Sequence, residues 1–93
     1  MKRIINGKTY NTETAKLVCE HSTRDENGNW RATINLYKTK NGAFFLGTVG
    51  NGRDIWAPDD GIEILTEADA KIFCEEHGSA DEYIAEWGEP AEA

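Results

Sequence analysis

Polar and apolar positions divide the chain into short blocks of differing period. Arg3-Ile4-Ile5 and Lys8-Thr9-Tyr10 flank Asn6-Gly7 and predict a two-stranded hairpin with a tight turn. Asn11 follows as a helix N-cap, with Glu13 in the favoured first turn. Ala15, Val18, Cys19 and Ser22 then fall at i, i+3, i+4 and i+7, with Leu17 beside them, and predict an amphipathic helix over residues 12–22. Residues 23–29 are polar, contain Asn27-Gly28 and predict a loop.

From Trp30 to Lys38 the period changes to two. Trp30, Ala32, Ile34 and Leu36 alternate with Arg31, Thr33, Asn35 and Tyr37. Asn41-Gly42 turns the chain, and residues 43–49 return. Read as a two-residue loop, this turn sets Lys40 opposite Ala43, Lys38 opposite Phe45, Leu36 opposite Gly47 and Ile34 opposite Val49. Phe45 and Val49 then join the Trp30/Ile34/Leu36 face, and Tyr37, Phe44 and Leu46 share the other. A sheet with one wet face would leave that second face polar. Its three large apolar groups call for a cover: the N-terminal hairpin, a helix, a second subunit or a target protein.

Gly47, Gly50 and Gly52 loosen the chain after the hairpin, and residues 57–61 read as a turn. Ile62, Ile64 and Leu65 form a short extended segment. Thr66 caps a helix with Glu67 and Asp69 in its first turn, Gly78 at its end, and an apolar stripe of Ala70, Phe73, Cys74 and His77 with Ile72 alongside. Ser79 caps another, in which Ala80, Tyr83, Ile84 and Trp87 face inward and Asp81, Glu82 and Glu86 outward. Gly88 stops it, and residues 89–93 form a frayed tail. The expected fold is α+β: a three- or four-stranded antiparallel sheet centred on a hairpin at residues 30–49, one N-terminal helix and two C-terminal helices.

Composition changes this picture mainly through charge. The 93 residues suit a single domain. No stretch approaches the ~18 apolar residues of a membrane span, and no signal peptide is visible. Two cysteines are too few for a disulfide scaffold, so the expectation is a reduced, cytoplasmic chain. Net charge is −7, but it is unevenly spread: residues 1–53 carry net +5 and residues 54–93 net −12. So acidic a chain is not expected to bind nucleic acid non-specifically, since phosphate contact needs a positive field.

The acidic half supplies the first candidate site: Asp54, Asp59, Asp60, Glu63, Glu67, Asp69, Glu75, Glu76, Asp81, Glu82 and Glu86. Carboxylates meet the same Lys and Arg side chains that phosphates do, so this half could occupy a basic channel on a nucleic-acid-handling protein. The plain alternative is a solvated face that keeps the protein soluble. Tyr37, Phe44, Leu46 and Trp56 are candidate apolar anchors. The basic hairpin, with Arg31, Lys38 and Lys40 beside Tyr37 and Phe44, is a weaker candidate for stacking bases and gripping a backbone. Its bland reading is an edge protected by lysines.

Cys19, His21, Cys74 and His77 make a Cys₂His₂ set, but within a helix Cys19 and His21 would point apart, and the spacing fits no familiar zinc finger. The bland reading is two buried thiols and two helix-terminal histidines. There is no catalytic signature. Residues 47–52 are glycine-rich but lack the Gly-Lys-Ser/Thr ending of a phosphate loop. A thiol in the apolar stripe is expected to be inert. No enzyme activity and no cofactor are expected.

The segment Ile4-Ile5-Asn6-Gly7-Lys8-Thr9-Tyr10-Asn11-Thr12-Glu13-Thr14-Ala15 resembles the opening of small proteins encoded by phages and mobile elements, "ING-K-x-Y-(D/N)-T-E-T-A". Leu36-Tyr37-Lys38-Thr39-Lys40-Asn41-Gly42-Ala43-Phe44-Phe45-Leu46 is similar to their hairpin, and Leu65-Thr66-Glu67-Ala68-Asp69-Ala70 through Tyr83 to Gly88 to their acidic helical tail. Residues 47–56 are shorter than the glycine-rich insertion many of them carry. That group includes anti-CRISPR inhibitors of bacterial immunity. The resemblance implies an anti-CRISPR that binds a Cas effector; joined to the charge distribution, the expectation is a non-enzymatic inhibitor in the host cytoplasm, monomer or homodimer, whose acidic half blocks a basic nucleic-acid-binding surface. The alternative is a small regulatory or nucleic-acid-associated protein using the basic hairpin.

Overall fold

The computed structural model describes residues 1–50 and 61–93. Asp54, Trp56, Asp59, Asp60 and most of the turn expected at 57–61 lie outside the described residues. The fold is α+β, with strands β1 (Lys2–Ile5), β2 (Lys8–Asn11), β3 (Lys16–Arg24), β4 (Trp30–Lys38), β5 (Phe44–Gly50) and β6 (Gly61–Leu65), then helices α1 (Glu67–His77) and α2 (Ala80–Trp87). β1 and β2 form a separate hairpin, while β3-β4-β5-β6 form an antiparallel meander. The Asn6-Gly7 turn is as expected, with both residues at positive φ (53° and 75°), the conformation a type I′ turn requires.

Residues 12–22 do not form a helix. The Asn11 side chain does accept the Glu13 backbone N–H at 3.0 Å, and the Ala15 N–H reaches the Asn11 carbonyl at 3.0 Å. The cap thus builds one turn and stops. The chain then enters β3, which pairs with β4 from Lys16↔Lys38 to Arg24↔Trp30. A register shift between Leu17 and Cys19 puts the adjacent residues Val18 and Cys19 both inside. Two neighbouring buried residues imitate the i+3, i+4 pair of a helix. Beyond the shift the strand alternates, with Glu20, Ser22 and Arg24 exposed and His21 and Thr23 half-buried.

The β4–β5 register is one residue away from the expected one: Lys38 opposes Phe44, Tyr37 opposes Phe45, and Leu36 opposes Leu46. The loop has three residues, not two. Thr39 and Ala43 close it through the Thr39 N–H on the Ala43 carbonyl (2.8 Å) and the Ala43 N–H on the Thr39 hydroxyl oxygen (3.0 Å). Gly42 occupies the left-handed position at φ 86°, which a three-residue hairpin loop of this kind demands. A one-residue slip exchanges faces. Phe44 and Leu46 therefore join Leu36, while Phe45 joins Tyr37.

Each sheet face has its own cover. On one side α1 and α2 bury Val18, Cys19, Leu36, Phe44, Ala70 and Cys74, with Leu46, Leu65, Phe73, Tyr83 and Trp87 packed around them. On the other, Tyr10, Phe45 and Ile62 form a second core, flanked by Met1, Ile5, Ala15, Tyr37 and Ala43. Tyr37 stacks on Phe45 at 5.3 Å between centroids, and Tyr10 meets Phe45 edge-on at 5.5 Å. The expected Tyr37/Phe44/Leu46 face is therefore split: the helices cover Phe44 and Leu46, and the N-terminal hairpin covers Tyr37 together with Phe45. Gly47 makes room for it, since a Cβ there would lie 3.0 Å from both Thr12 Cγ2 and Tyr37 Cε2.

Candidate partner-binding face

α1 starts where Thr66 accepts the Asp69 N–H at 3.1 Å, and α2 where Ser79 accepts the Glu82 N–H at 3.1 Å. The Glu82 carboxylate completes a capping box by accepting the Ser79 N–H at 2.8 Å. These caps fix which way each helix presents its acids.

On α1, Glu67, Asp69, Glu75 and Glu76 are exposed, as are Glu63 on β6 and Asp81 on α2. Glu67 and Asp69 sit at the end of the helix where the dipole favours anions. Glu75 and Glu76 sit in the last turn, where it disfavours them. Among the described residues, the basic group close to Glu76 is His77 Nε2, at 3.7 Å. Among these acids lies Ile72, 49% exposed. Asp69, Glu75 and Glu76 are at i−3, i+3 and i+4 from it, so one α1 face carries an apolar centre rimmed by three carboxylates.

Glu82 and Glu86, expected to face outward, turn to the sheet. Glu82 accepts the Glu20 backbone N–H at 3.2 Å. The Glu86 side chain is only 4% exposed and bridges Lys16 Nζ (3.0 Å) and Lys38 Nζ (2.8 Å). Burial pushes its carboxyl pKa up, but the hydrogen bonds and charges of Lys38 and Lys16 outweigh that and hold it below the ordinary carboxylate value. The inward face of α2 is rotated from the expected stripe. Tyr83 and Trp87 pack inward, whereas Ala80 and Ile84 are exposed.

The candidate anchors divide. Phe44 is 3% exposed and stacks on Trp87 at 5.6 Å, Leu46 packs into the same core, and Tyr37 lies under the N-terminal hairpin. None of the three is exposed, whereas Ile72 on α1 is. In the basic hairpin, Lys38 is committed to Glu86, and Lys40 is exposed. Lys16, Lys38 and Lys40 border a hollow of about 350 Å³ with Thr14, Ala15 and Thr39.

The Cys₂His₂ candidates do meet, because in a strand positions i and i+2 share a face. Cys19 and Cys74 are buried in the same core cluster, and the His21 and His77 rings lie 4.4 Å apart, tilted by 33°. They meet as two separate pairs: among the described residues no three His, Cys, Asp or Glu groups are arranged to hold a metal ion. Burial, then the neighbouring Cys74 thiol, pushes the Cys19 thiol up to about 12, and burial raises Cys74 as well. Such thiols are poor nucleophiles at neutral pH.

The chain matches no protein-family model, no curated protein and no solved structure. Among the described residues no helix is long and apolar enough to cross a membrane.

Proposed function

We propose that the protein is a non-enzymatic inhibitor that docks the acidic face of α1 on a basic, nucleic-acid-binding surface of a protein partner. Ile72, exposed within a rim of Asp69, Glu75 and Glu76, carries this reading. Carboxylates steer the encounter and impose selectivity, while a desolvated apolar centre holds the complex. The face offers both within about two turns of helix. The resemblance of residues 4–15 and 36–46 to phage proteins points to a Cas effector as partner, which makes the protein an anti-CRISPR. Glu82 and Glu86 take no part, because they are spent on the fold.

The test is a native gel of the protein with purified Cas effector complexes and, separately, with DNA, at low and moderate salt. A complex with an effector is expected, and it should be lost in an Asp69→Lys/Glu75→Lys/Glu76→Lys variant that keeps the native circular dichroism. Retention of DNA without effector binding would replace this reading with that of the basic hairpin. Effector binding that survives the charge reversal would reduce the acidic face to solvated surface.

A further inference from the structure

Cys19 on β3 and Cys74 on α1 come from opposite ends of the chain and are both buried, at 0% and 1% exposure. Neither is disulfide-bonded, and both belong to one buried cluster between the helices and the sheet. Gly78 closes over them. Its φ of −89° and ψ of −179° suit any residue, so its glycine is needed for space. A Cβ at this position would lie 2.9 Å from Cys74 Sγ and 3.1 Å from Cys19 Cβ. The two cysteines therefore flank one small volume. A hollow of about 310 Å³ bordered by Gly78, Ser79, Tyr83 and Ile84 is lined by Cys74 and not by Cys19.

We propose that Cys19 and Cys74 form a reversible intramolecular disulfide that fastens α1 to β3 when the protein meets a low-molecular-weight disulfide such as oxidised glutathione. The Cys74 thiolate attacks one sulfur of the oxidant, forming a mixed disulfide and expelling one glutathione thiolate. Cys19 then loses its proton and attacks the Cys74 sulfur, which expels the second glutathione. Two protein thiols are oxidised, two glutathione sulfurs are reduced, and the two thiol protons end on the two glutathione molecules. Reaction is slow at neutral pH because both thiols are held protonated. It accelerates with pH and with any opening of α1.

The test treats the whole chain with millimolar oxidised glutathione at pH 8.5 and follows intact mass, alkylation after unfolding, and thermal melting. The expected product is a monomer lighter by two hydrogens, with no alkylatable thiol, a Cys19–Cys74 cross-linked peptide, and a Tm raised on the order of 10 °C. Dithiothreitol should reverse all four changes, and Cys19→Ala and Cys74→Ala should show none of them. Cross-linked peptides are read on the unsubstituted chain, so the outcome stands even if a variant folds poorly. Two thiols that remain alkylatable after unfolding, a glutathione adduct that persists on one cysteine, or a disulfide between two chains would each overturn the proposal.

Discussion

Glu86 on α2 and Glu76 on α1 are the same residue type on adjacent helices, and they do opposite things. Glu86 is buried to 4% exposure between two lysines 70 and 48 positions back along the chain. Glu76 is exposed at the wrong end of a helix dipole. The first joins the two halves of the charge distribution: Lys16 and Lys38 come from the basic half, Glu86 from the acidic one. The second faces outward, with His77 as its near basic neighbour among the described residues. The −12 of the C-terminal half is therefore a mixture, part internal clamp and part outward surface, and only the outward part is available to a partner.

The largest break in this comparison is at Glu86. Removing it takes away the carboxylate that both lysine ammonium groups share, with Lys38 Nζ left 5.6 Å from the Phe44 ring centroid. Losing one partner of a buried pair costs about 3–5 kcal/mol. Here Lys16 is 61% exposed and Lys38 34%, so both cations retain water, and about 2 kcal/mol is the better expectation for Glu86→Ala. In a 93-residue domain that corresponds to a Tm lower by roughly 10 °C. Glu86→Lys places three cations together and should abolish cooperative melting. Glu76→Lys should leave the melting curve almost unchanged.

The same clamp gives a pH dependence of fixed sign. The folded-state pKa of Glu86 is depressed below 4.5. Its contribution to stability is therefore fully present above that value and is lost as pH falls through the folded pKa. Urea midpoints measured from pH 7 down to pH 3 should show wild type and Glu86→Gln well separated at neutral pH and converging below pH 4.5. A separation that stays constant to pH 3 would mean that Glu86 stabilises through packing, not charge. Asp25, whose pKa is lowered first by its hydrogen bond to the Asn29 backbone, adds a slope common to both proteins.

The helix caps come next in size. Ser79→Ala removes one side of a reciprocal box and should cost about 1 kcal/mol. Thr66→Ala loses a single bond to Asp69 and should cost somewhat less. The order of the two, read from denaturant midpoints, tests whether α2 depends on its box. A reversed order would show that the Glu82 carboxylate acts chiefly through Glu20.

Both helices were legible because their signals are local: a hydroxyl cap, acids in the first turn, a glycine at the end. The outer strand was not. In β3 the bulge places Val18 and Cys19 side by side in the core, and a pattern of four residues cannot separate that from one turn of helix. The hairpin register failed for a related reason. Asn41-Gly42 marks a turn but does not count its residues; the Thr39 hydroxyl bond to Ala43 does, and it is visible only once folded. At the site, the outward acids of α1 followed from periodicity. Glu86 did not, since on the wheel it lies beyond Tyr83, on the side away from Trp87, Ala80 and Ile84, and a carboxylate there reads as outward unless its lysines, far away in sequence, are known to lie above it. Ile72 had a readable signal, an isoleucine beside the apolar stripe and flanked by acids at i−3, i+3 and i+4, but its exposure depends on how α1 is rolled on the sheet.

The smallest effect on stability sharpens the comparison most. Neutralising Glu75 and Glu76 to Gln removes two charges from the helix end that disfavours them, so stability should rise by about 0.3–1 kcal/mol at low salt. In a functional surface the same change should weaken partner binding, mostly through a slower association rate, with the loss shrinking as salt rises. Ile72→Ala should act on the other side of the rate balance: it leaves the melting curve within about 0.5 kcal/mol of wild type and speeds dissociation. Calorimetry of the free protein and stopped-flow association with a bound effector, run on both variants, separate the two contributions. A double carboxamide variant that is less stable than wild type would mean that Glu75 and Glu76 have cationic partners in the fold, and the contrast with Glu86 would then vanish.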